Sequence, residues 1–99
     1  MKFEWDPVKA LSNLRKHGIK LEDAITAFDD PWALTTADEG HSFPSEEREW
    51  LIGESDGARI LVVVFTRRGP EGGIYRIISA RPAGRREREG YGRSKGISI

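Results

Sequence analysis

The chain has 99 residues, of which 37% are hydrophobic and 32% are charged, and it contains no cysteine. This length suits one domain with a modest core, and the lack of cysteine excludes disulfides, thiolate nucleophiles and cysteine-rich zinc sites. The first residues lack the apolar core of a signal peptide, and the longest apolar run, residues 60–65, is too short to span a bilayer. We expect a cytoplasmic domain without membrane contact.

The formal net charge is zero, but the charges are unevenly distributed along the chain. Residues 22–56 contain eleven Asp or Glu and a single Arg, whereas the segments on both sides are net basic. If the two basic ends converge in space, they form a cationic patch suited to a phosphate backbone. The alternative is scattered surface charge in contact with water, which implies no partner.

A short strand and a helix open the chain. Residues 2–5 alternate polar and apolar side chains, which is typical of a strand. The pair Asp6-Pro7 then predicts a helix start, because the carboxylate accepts hydrogen bonds from free amides and proline suits the first helical position. Three apolar residues at helical spacing give this helix one apolar stripe, formed by Val8, Leu11 and Leu14.

The stretch NLRKHGIKLEDA contains one of the two histidines of the chain. Gly18 is expected to take the left-handed conformation that ends the first helix, with Leu14 and Ile19 in contact as in a Schellman motif. Lys16 and His17 then lie where cations complement the helix dipole. A helix end therefore accounts for both residues without any function, and a catalytic role is the alternative.

Strands dominate the rest of the predicted fold. A second helix is predicted over residues 21–28, and a loop around His41 separates the first of the following strands from the second. Four further strands are predicted, at residues 33–37, 48–54, 58–66 and 74–80. An Asp-Gly hairpin signal and a glycine-rich turn join the last three of these strands. A last helix is predicted over residues 85–89, and Gly90 and Gly92 weaken this prediction. These elements predict one α+β domain with a small, mostly antiparallel sheet.

No metal or nucleotide site is predicted. His17 and His41 are far apart in sequence and share no carboxylate pattern of a known metal motif, and the acidic middle of the chain is only an unspecific signal for Mg²⁺. The segment GPEGG lacks the Lys-Ser/Thr of a phosphate loop, and no serine lies on a nucleophile elbow. No cofactor is therefore expected.

Arginines near the ends of the predicted strands are the remaining candidates for chemistry. Arg68 follows the central strand, and Arg81 ends the strand that contains Arg76. The guanidinium group is a rigid fork of donors that suits phosphate and keeps its charge. Regular alternation separates Arg76 from Arg81, and hairpin pairing separates Arg68 from Arg81, so no shared pocket is expected. Arg76 shares its face with two isoleucines, which implies a buried partner or a ligand. A salt bridge or surface position is the simpler explanation of each arginine.

Four stretches carry a resemblance to a known family. They are FEWDPVKALSNLRKHGI, LEDAITAFDDP, LVVVFTRR and YRIISARPAGRREREGY, in this order and at family-like spacing. Together they resemble the BrnT family, small toxins of bacterial type II toxin–antitoxin systems whose fold is similar to RelE ribonucleases. Residues 32–57 match only loosely. The family usually continues its last helix, whereas Gly90 and Gly92 interrupt it here.

The resemblance implies an endoribonuclease that cleaves RNA without a metal, inhibits translation and is neutralised by an antitoxin similar to BrnA. Such an antitoxin has a ribbon-helix-helix DNA-binding part, so the toxin reaches promoter DNA indirectly, through the antitoxin. A rival of another class is a non-catalytic module that binds nucleic acid or an antitoxin. A third possibility is a purely structural partner in a repressor complex.

Metal-free RNA cleavage needs a base for the 2′-hydroxyl, stabilisation of the phosphorane and an acid for the 5′-oxygen. His17 can act as acid or base near neutral pH, with Glu22 orienting it or serving as the base. Lys16 or Arg81 can stabilise charge on the phosphate, and Arg68 can position the backbone. Two aromatic residues are candidates for base stacking, although packing is the simpler explanation for both: Trp5 and Tyr91.

Overall fold

The computed structural model describes residues 1–37 and 47–96, which form one five-stranded sheet with three α-helices. The strands are β1 (Lys2–Glu4), β2 (Leu34–Ala37), β3 (Arg48–Glu54), β4 (Ile60–Arg68) and β5 (Ile74–Pro82), and the helices are α1 (Pro7–His17), α2 (Leu21–Ala24) and α3 (Arg85–Ser94). The sheet order is β1-β5-β4-β3-β2, with β1 parallel to β5 and the other pairs antiparallel. The predicted α+β fold with a mostly antiparallel sheet is confirmed. The predicted loop around His41 lies outside the described residues.

Helix α1 begins and ends where the sequence predicts. Asp6 Oδ1 accepts a hydrogen bond from the amide of Val8 at 2.8 Å. Gly18 has a φ of 71°, and its amide donates to the carbonyl of Leu14 at 2.9 Å. This bond is that of an αL cap rather than of the predicted Schellman motif.

The apolar stripe of α1 does not face the sheet. The exposed fractions of Val8, Leu11 and Leu14 are 76%, 50% and 37%. A different side of the helix, which includes Ala10 and Asn13, packs against the core and β5. An apolar stripe normally marks the buried side of a helix, so α1 departs from that pattern.

Asn13 explains the orientation of α1. Its side-chain amide donates to the carbonyls of Ile19 at 3.0 Å and Ala80 at 2.9 Å, and its Oδ1 accepts from the amide of Ala80 at 3.0 Å. Strand β1 pairs only with Ile74, Tyr75 and Arg76 at the start of β5. Farther along the same edge, the buried asparagine therefore takes the place of a neighbouring strand, and it fixes the helix there.

The second helix is shorter than predicted. The expected helix over residues 21–28 is wrong in its second half, because α2 covers Leu21–Ala24 and a 3-10 segment, Ile25–Asp29, follows it. Thr26 Oγ1 donates to the carbonyl of Asp23 at 2.6 Å. A local side-chain bond of this kind competes with the backbone ladder of an α-helix.

A β-bulge in β5 decides which of its side chains face the core. Phe65 of β4 lies opposite Ile77. Its neighbour Val64 lies opposite Ser79, so Ile78 is the extra residue of the bulge. Phe65 and Ile77 belong to the buried core under the helices, and the alternation of side chains changes phase after them.

The bulge overturns the predicted alternation in β5, which separates Arg76 from Arg81. In the observed register, Arg76 lies opposite Thr66 and Arg81 lies opposite Val62. Thr66 and Val62 are an even number of residues apart on β4 and point to the same face. Cross-strand partners share a face, so both arginines lie on the face of the sheet that points away from the core.

Helix α3 is longer than predicted. It continues through Gly90 and Gly92 to Ser94. Tyr91 lies between the two glycines and is only 2% exposed, and its hydroxyl donates to Asp30 Oδ2 at 2.5 Å. This tertiary contact outweighs the weak helix propensity of the glycines.

Candidate functional site

One side of α1 and the edge of β5 enclose a hollow of about 230 Å³, which we call the α1–β5 groove. It is lined by Lys9, Ser12, Asn13, Lys16 and His17 of the helix and by Ile78 and Ser79 of the strand. The five helix residues follow the spacing of one helix side. The strand contributes its bulge residue and the residue after it, so the groove depends on both the Asn13 bonds and the bulge.

The groove combines an imidazole with two ammonium groups. His17 is the last residue of α1 and is half-buried, whereas Lys16 and Lys9 are exposed. The unpaired carbonyl groups at the end of the helix favour cations at this position. The groove can therefore transfer a proton and hold an anion.

The face of the sheet that points away from the core carries a second set of basic residues, and we call it the arginine face. Two rows of in-register residues define it: Arg48, Thr66 and Arg76, then Trp50, Val64 and Ser79. Within the described residues, five cationic side chains belong to this face: Lys2, Arg48, Arg68, Arg76 and Arg81. Such a concentration of cations suits a polyanion.

Ser79 connects the two surfaces. It lines the α1–β5 groove and lies between Arg76 and Arg81 along the arginine face. Lys9 and Lys16, from the N-terminal basic segment, thus adjoin arginines from the C-terminal basic segment. The two basic segments therefore contribute to neighbouring surfaces, which is one of the two possibilities that the charge distribution leaves open.

Arg81 is held in place by Glu87 of α3. Two hydrogen bonds of 2.8 Å join its guanidinium nitrogens to the two carboxylate oxygens, and its Cζ lies 5.8 Å from the ring centroid of Trp50. Glu87 also accepts from the amide of Gly84 at 2.7 Å. One carboxylate therefore starts α3 and orders the arginine.

The Arg81–Glu87 pair changes the ionisation of both groups. The hydrogen bonds that Arg81 donates to Glu87 raise the pKa of Arg81 above its usual value, although burial acts in the opposite direction. The hydrogen bond from Arg81 lowers the pKa of Glu87, again against burial and with help from the amide of Gly84. Both groups are therefore charged at neutral pH, and the predicted salt-bridge role of Arg81 is present.

Other polar atoms of the arginine face depend on the sheet register. Arg76 forms an ion pair of 3.5 Å with Glu4 of β1, and the two side chains are 30% and 40% exposed, so this pair is not the buried partner expected from the sequence. Among the described residues, Trp50 Nε1 and Thr66 Oγ1 are buried without a hydrogen-bond partner. Because their positions follow from strand pairing, no local sequence pattern marks them.

The five predicted catalytic residues fall into three places. Lys16 and His17 line the α1–β5 groove together. Arg68 and Arg81 lie on the arginine face near opposite ends of β4, as expected from the hairpin pairing. Glu22 lines a different hollow, on the other flank of α1. The structure therefore brings the two helix residues together and places Glu22 apart from them.

Sequence reasoning missed Lys9 and Ser79. The spacing of Lys9 and Lys16, seven residues on one helix, is a signal for a shared side, whereas the place of Ser79 requires knowledge of the bulge. The two stacking candidates are packed aromatics: Trp5 contacts the core, and Tyr91 is buried. Packing accounts for both.

Across residues 1–37 and 47–96, no group of three or more His, Asp or Glu side chains is placed to hold a metal ion. Within the same ranges, no helix has the length and apolar character needed to cross a membrane.

The fold and these two surfaces define a small α+β domain whose basic side chains line the α1–β5 groove and the outward face of the sheet. A family model described as "Ribonuclease toxin, BrnT, of type II toxin-antitoxin system" matches residues 5–87. Among solved structures, the ribonuclease toxin BrnT of Brucella abortus is similar, with 28% identity, a TM-score of 0.63 and coverage of 86% of this chain and 99% of that chain. No curated protein matches the sequence. The chain belongs to the BrnT family of ribonuclease toxins of type II toxin–antitoxin systems.

Proposed function

We propose that the chain is an endoribonuclease that cleaves RNA without a metal ion, with the scissile phosphate in the α1–β5 groove. The observation that carries the proposal is the groove itself, in which Lys9, Lys16 and His17 share one side of α1 beside Ser79. Membership of a family of ribonuclease toxins supports RNA as the substrate. The adjoining arginine face supplies further cations for the RNA backbone.

In the proposed reaction, the His17 imidazole removes the proton of the 2′-hydroxyl, and the 2′-oxygen attacks the adjacent phosphorus. The bond between phosphorus and the 5′-oxygen breaks, and the leaving oxygen takes a proton from the Lys16 ammonium group; proton exchange with solvent then restores Lys16 and His17. The ammonium groups of Lys16 and Lys9 stabilise the negative charge of the phosphorane. The products are a 2′,3′-cyclic phosphate and a 5′-hydroxyl.

The arginine face is proposed to hold the phosphates around the cleaved bond. Arg81 is ordered by Glu87 and Trp50 before any ligand binds, which lowers the entropy cost of contacting a phosphate. Arg68 is six residues farther along β4 than the partner of Arg81, or about 20 Å in an extended strand. We assign these two residues to different phosphates, and Glu22 receives no catalytic role.

A defined RNA incubated with the purified chain in EDTA tests the reaction. We expect cleavage that yields cyclic phosphate ends, and no cleavage of an RNA with one 2′-deoxy nucleotide at the cut position. His17→Asn keeps a residue suited to a helix end and should slow cleavage about 100-fold or more, the usual size of an acid–base contribution. Products with 5′-phosphate ends, or loss of activity in EDTA, would contradict the mechanism.

Adjacent cations on α1 provide a matched control. Arg15 and Lys16 are both exposed in the last turn, but only Lys16 lines the α1–β5 groove. Lys16→Ala is expected to slow cleavage at least about ten-fold, and Arg15→Ala should leave the rate unchanged. Equal losses would mean that overall charge matters and the groove does not. Intact RNA bound in a salt-dependent way would favour the non-catalytic module.

We further propose that the chain is held inactive in the cytoplasm by a BrnA-like antitoxin with a ribbon-helix-helix DNA-binding part. Membership of a type II toxin–antitoxin family supports an antitoxin partner. We expect the product of an adjoining reading frame to co-purify with the chain, and the complex to bind its promoter DNA while the chain alone does not. A chain that binds the promoter alone would contradict indirect DNA contact.

A further inference from the structure

Helix α1 exposes an apolar surface that the described part of the chain leaves uncovered. We call Val8, Leu11 and Leu14 the α1 stripe; their exposed fractions are 76%, 50% and 37%. Leu11 and Leu14 also line a hollow of about 200 Å³ beside α2. Exposed apolar residues that are contiguous on one helix side mark contact surfaces more often than isolated ones do.

The charges around the α1 stripe limit what can cover it. Helix α1 carries Lys9, Arg15 and Lys16 and no Asp or Glu, and Lys20 lines the hollow. Glu22 is the acidic residue among those that line the hollow. A second copy of this chain would bring cations against cations, which disfavours association. A partner with acidic groups around an apolar centre is complementary in both respects.

We infer that the α1 stripe binds an acidic amphipathic helix of the antitoxin. Its apolar side chains, three or four residues apart, would pack on Leu11 and Leu14, and its Asp or Glu residues would face Arg15 and Lys20. The stripe extends over the six residue steps from Val8 to Leu14, or about 9 Å, so about two turns of the partner helix cover it. The inference rests on the proposed function for the identity of the partner, but its surface lies outside the α1–β5 groove.

The affinity of the purified chain for the co-expressed product of the adjoining reading frame tests the inference. Leu11→Lys and Val8→Lys place a charge at exposed positions, so both variants should fold, which their melting temperatures check. Each is expected to weaken binding about ten-fold or more, as truncations at interface centres do. Arg15→Glu is expected to weaken binding and to reduce its dependence on salt.

Leu34→Lys is the matched control, because Leu34 is an apolar residue on β2 with an exposed fraction of 36%, close to that of Leu14. The affinity of Leu34→Lys for the antitoxin should equal that of the wild type. Unchanged affinity of both stripe variants, an equal loss in Leu34→Lys, or no binding by the wild type would overturn the inference. Self-association of the chain that Leu11→Lys abolishes would assign the stripe to a second copy instead.

Cleavage of RNA by the free chain separates this inference from the proposed function. Leu11→Lys is expected to cleave at the wild-type rate, because Leu11 lies on the flank of α1 away from the α1–β5 groove. A wild type that binds the antitoxin through the stripe but does not cleave RNA would contradict the proposed function alone. If the wild type cleaves RNA and the stripe variants bind the antitoxin with unchanged affinity, the docking inference alone is contradicted.

Discussion

Asn13 makes three hydrogen bonds to backbone groups while only 5% of the residue is exposed. Asn13→Leu keeps the volume of the side chain but leaves the amide and carbonyl of Ala80 and the carbonyl of Ile19 without these bonds. Buried backbone groups that lose their partners are costly, so we expect a loss of about 2–4 kcal/mol in the free energy of unfolding. Urea denaturation measures it as a lower midpoint with an unchanged slope.

Ser12→Ala is the control for that experiment, since Ser12 is exposed on the same helix, and its change should stay within about 0.5 kcal/mol. A loss below about 1 kcal/mol in Asn13→Leu would show that the asparagine does not hold the helix.

The sequence alone could not predict this role, because the partner Ala80 is 67 residues away. Local signals predicted Asp6 and Gly18 correctly, because both act within one turn of the helix that they start or end.

At the scale of elements, α3 contains a glycine, Gly90, that its fold does not require. Gly90 lies inside the helix, and a Cβ added there would meet only the Arg93 guanidinium, at 3.7 Å. Gly90→Ala is therefore expected to stabilise the chain by about 0.5–1 kcal/mol through better helix propensity. Thermal unfolding measures this as a higher melting temperature.

Gly18→Ala is expected to destabilise the chain, in contrast to Gly90→Ala, and serves as the comparison. Gly18 has a φ of 71° and no atom within 4 Å of an added Cβ, so only backbone strain opposes the alanine. We expect a loss of about 1 kcal/mol. A destabilising Gly90→Ala would mean that α3 packs more tightly around that position than its geometry indicates.

The elements show where sequence reasoning succeeds and where it fails. Strand β3 was predicted with its observed bounds because an apolar pattern and a turn signal agree on them. The length of α3 was not predictable, because the propensity of its glycines is overridden by the contact between Tyr91 and Asp30. The bulge at Ile78 was not predictable either, since nothing in the composition of β5 separates it from regular alternation.

At the scale of the whole molecule, Asp30 ties α3 and β3 to the turn after the 3-10 segment. Its Oδ2 accepts from the Tyr91 hydroxyl at 2.5 Å and from the Glu54 amide at 2.8 Å, and its Oδ1 accepts from the Trp32 amide at 2.9 Å. Burial opposes ionisation of the carboxyl, but the hydrogen bonds together lower its pKa. Burial and the neighbouring carboxylate raise the pKa of Tyr91.

The lowered pKa of Asp30 makes stability depend on pH. Because the unfolded chain takes up the proton first, the contribution of Asp30 is present above the usual pKa of about 4 and is lost as the pH falls through the lower folded value. Asp30→Asn should lower the free energy of unfolding by about 1–3 kcal/mol at pH 7. The difference in the free energy of unfolding between this variant and the wild type should narrow as the pH falls toward about 3. Urea midpoints over this pH range measure it.

The exposed neighbour Asp29 supplies the control, since Asp29→Asn is expected to show no such narrowing. A constant difference between Asp30→Asn and the wild type across the pH range would contradict the assignment. The uneven charge of the sequence left both a cationic patch and scattered surface charge possible, because charge along the chain does not fix which side chains share a surface. It could not predict that Glu22 lies apart from His17, since that depends on how two helices turn about Gly18.

The bulge in β5 has a consequence for comparing relatives. Removing the extra residue Ile78 would restore regular pairing with β4 and leave Arg81 opposite Val62, so the arginine would keep its outward position. An alignment with a relative that lacks the bulge should therefore open its one-residue gap at Ile78. A gap placed elsewhere in β5 would exchange the two faces of the strand for the positions between that gap and the bulge. Relatives whose β5 is one residue shorter are therefore expected to carry an outward residue at the position aligned with Arg81.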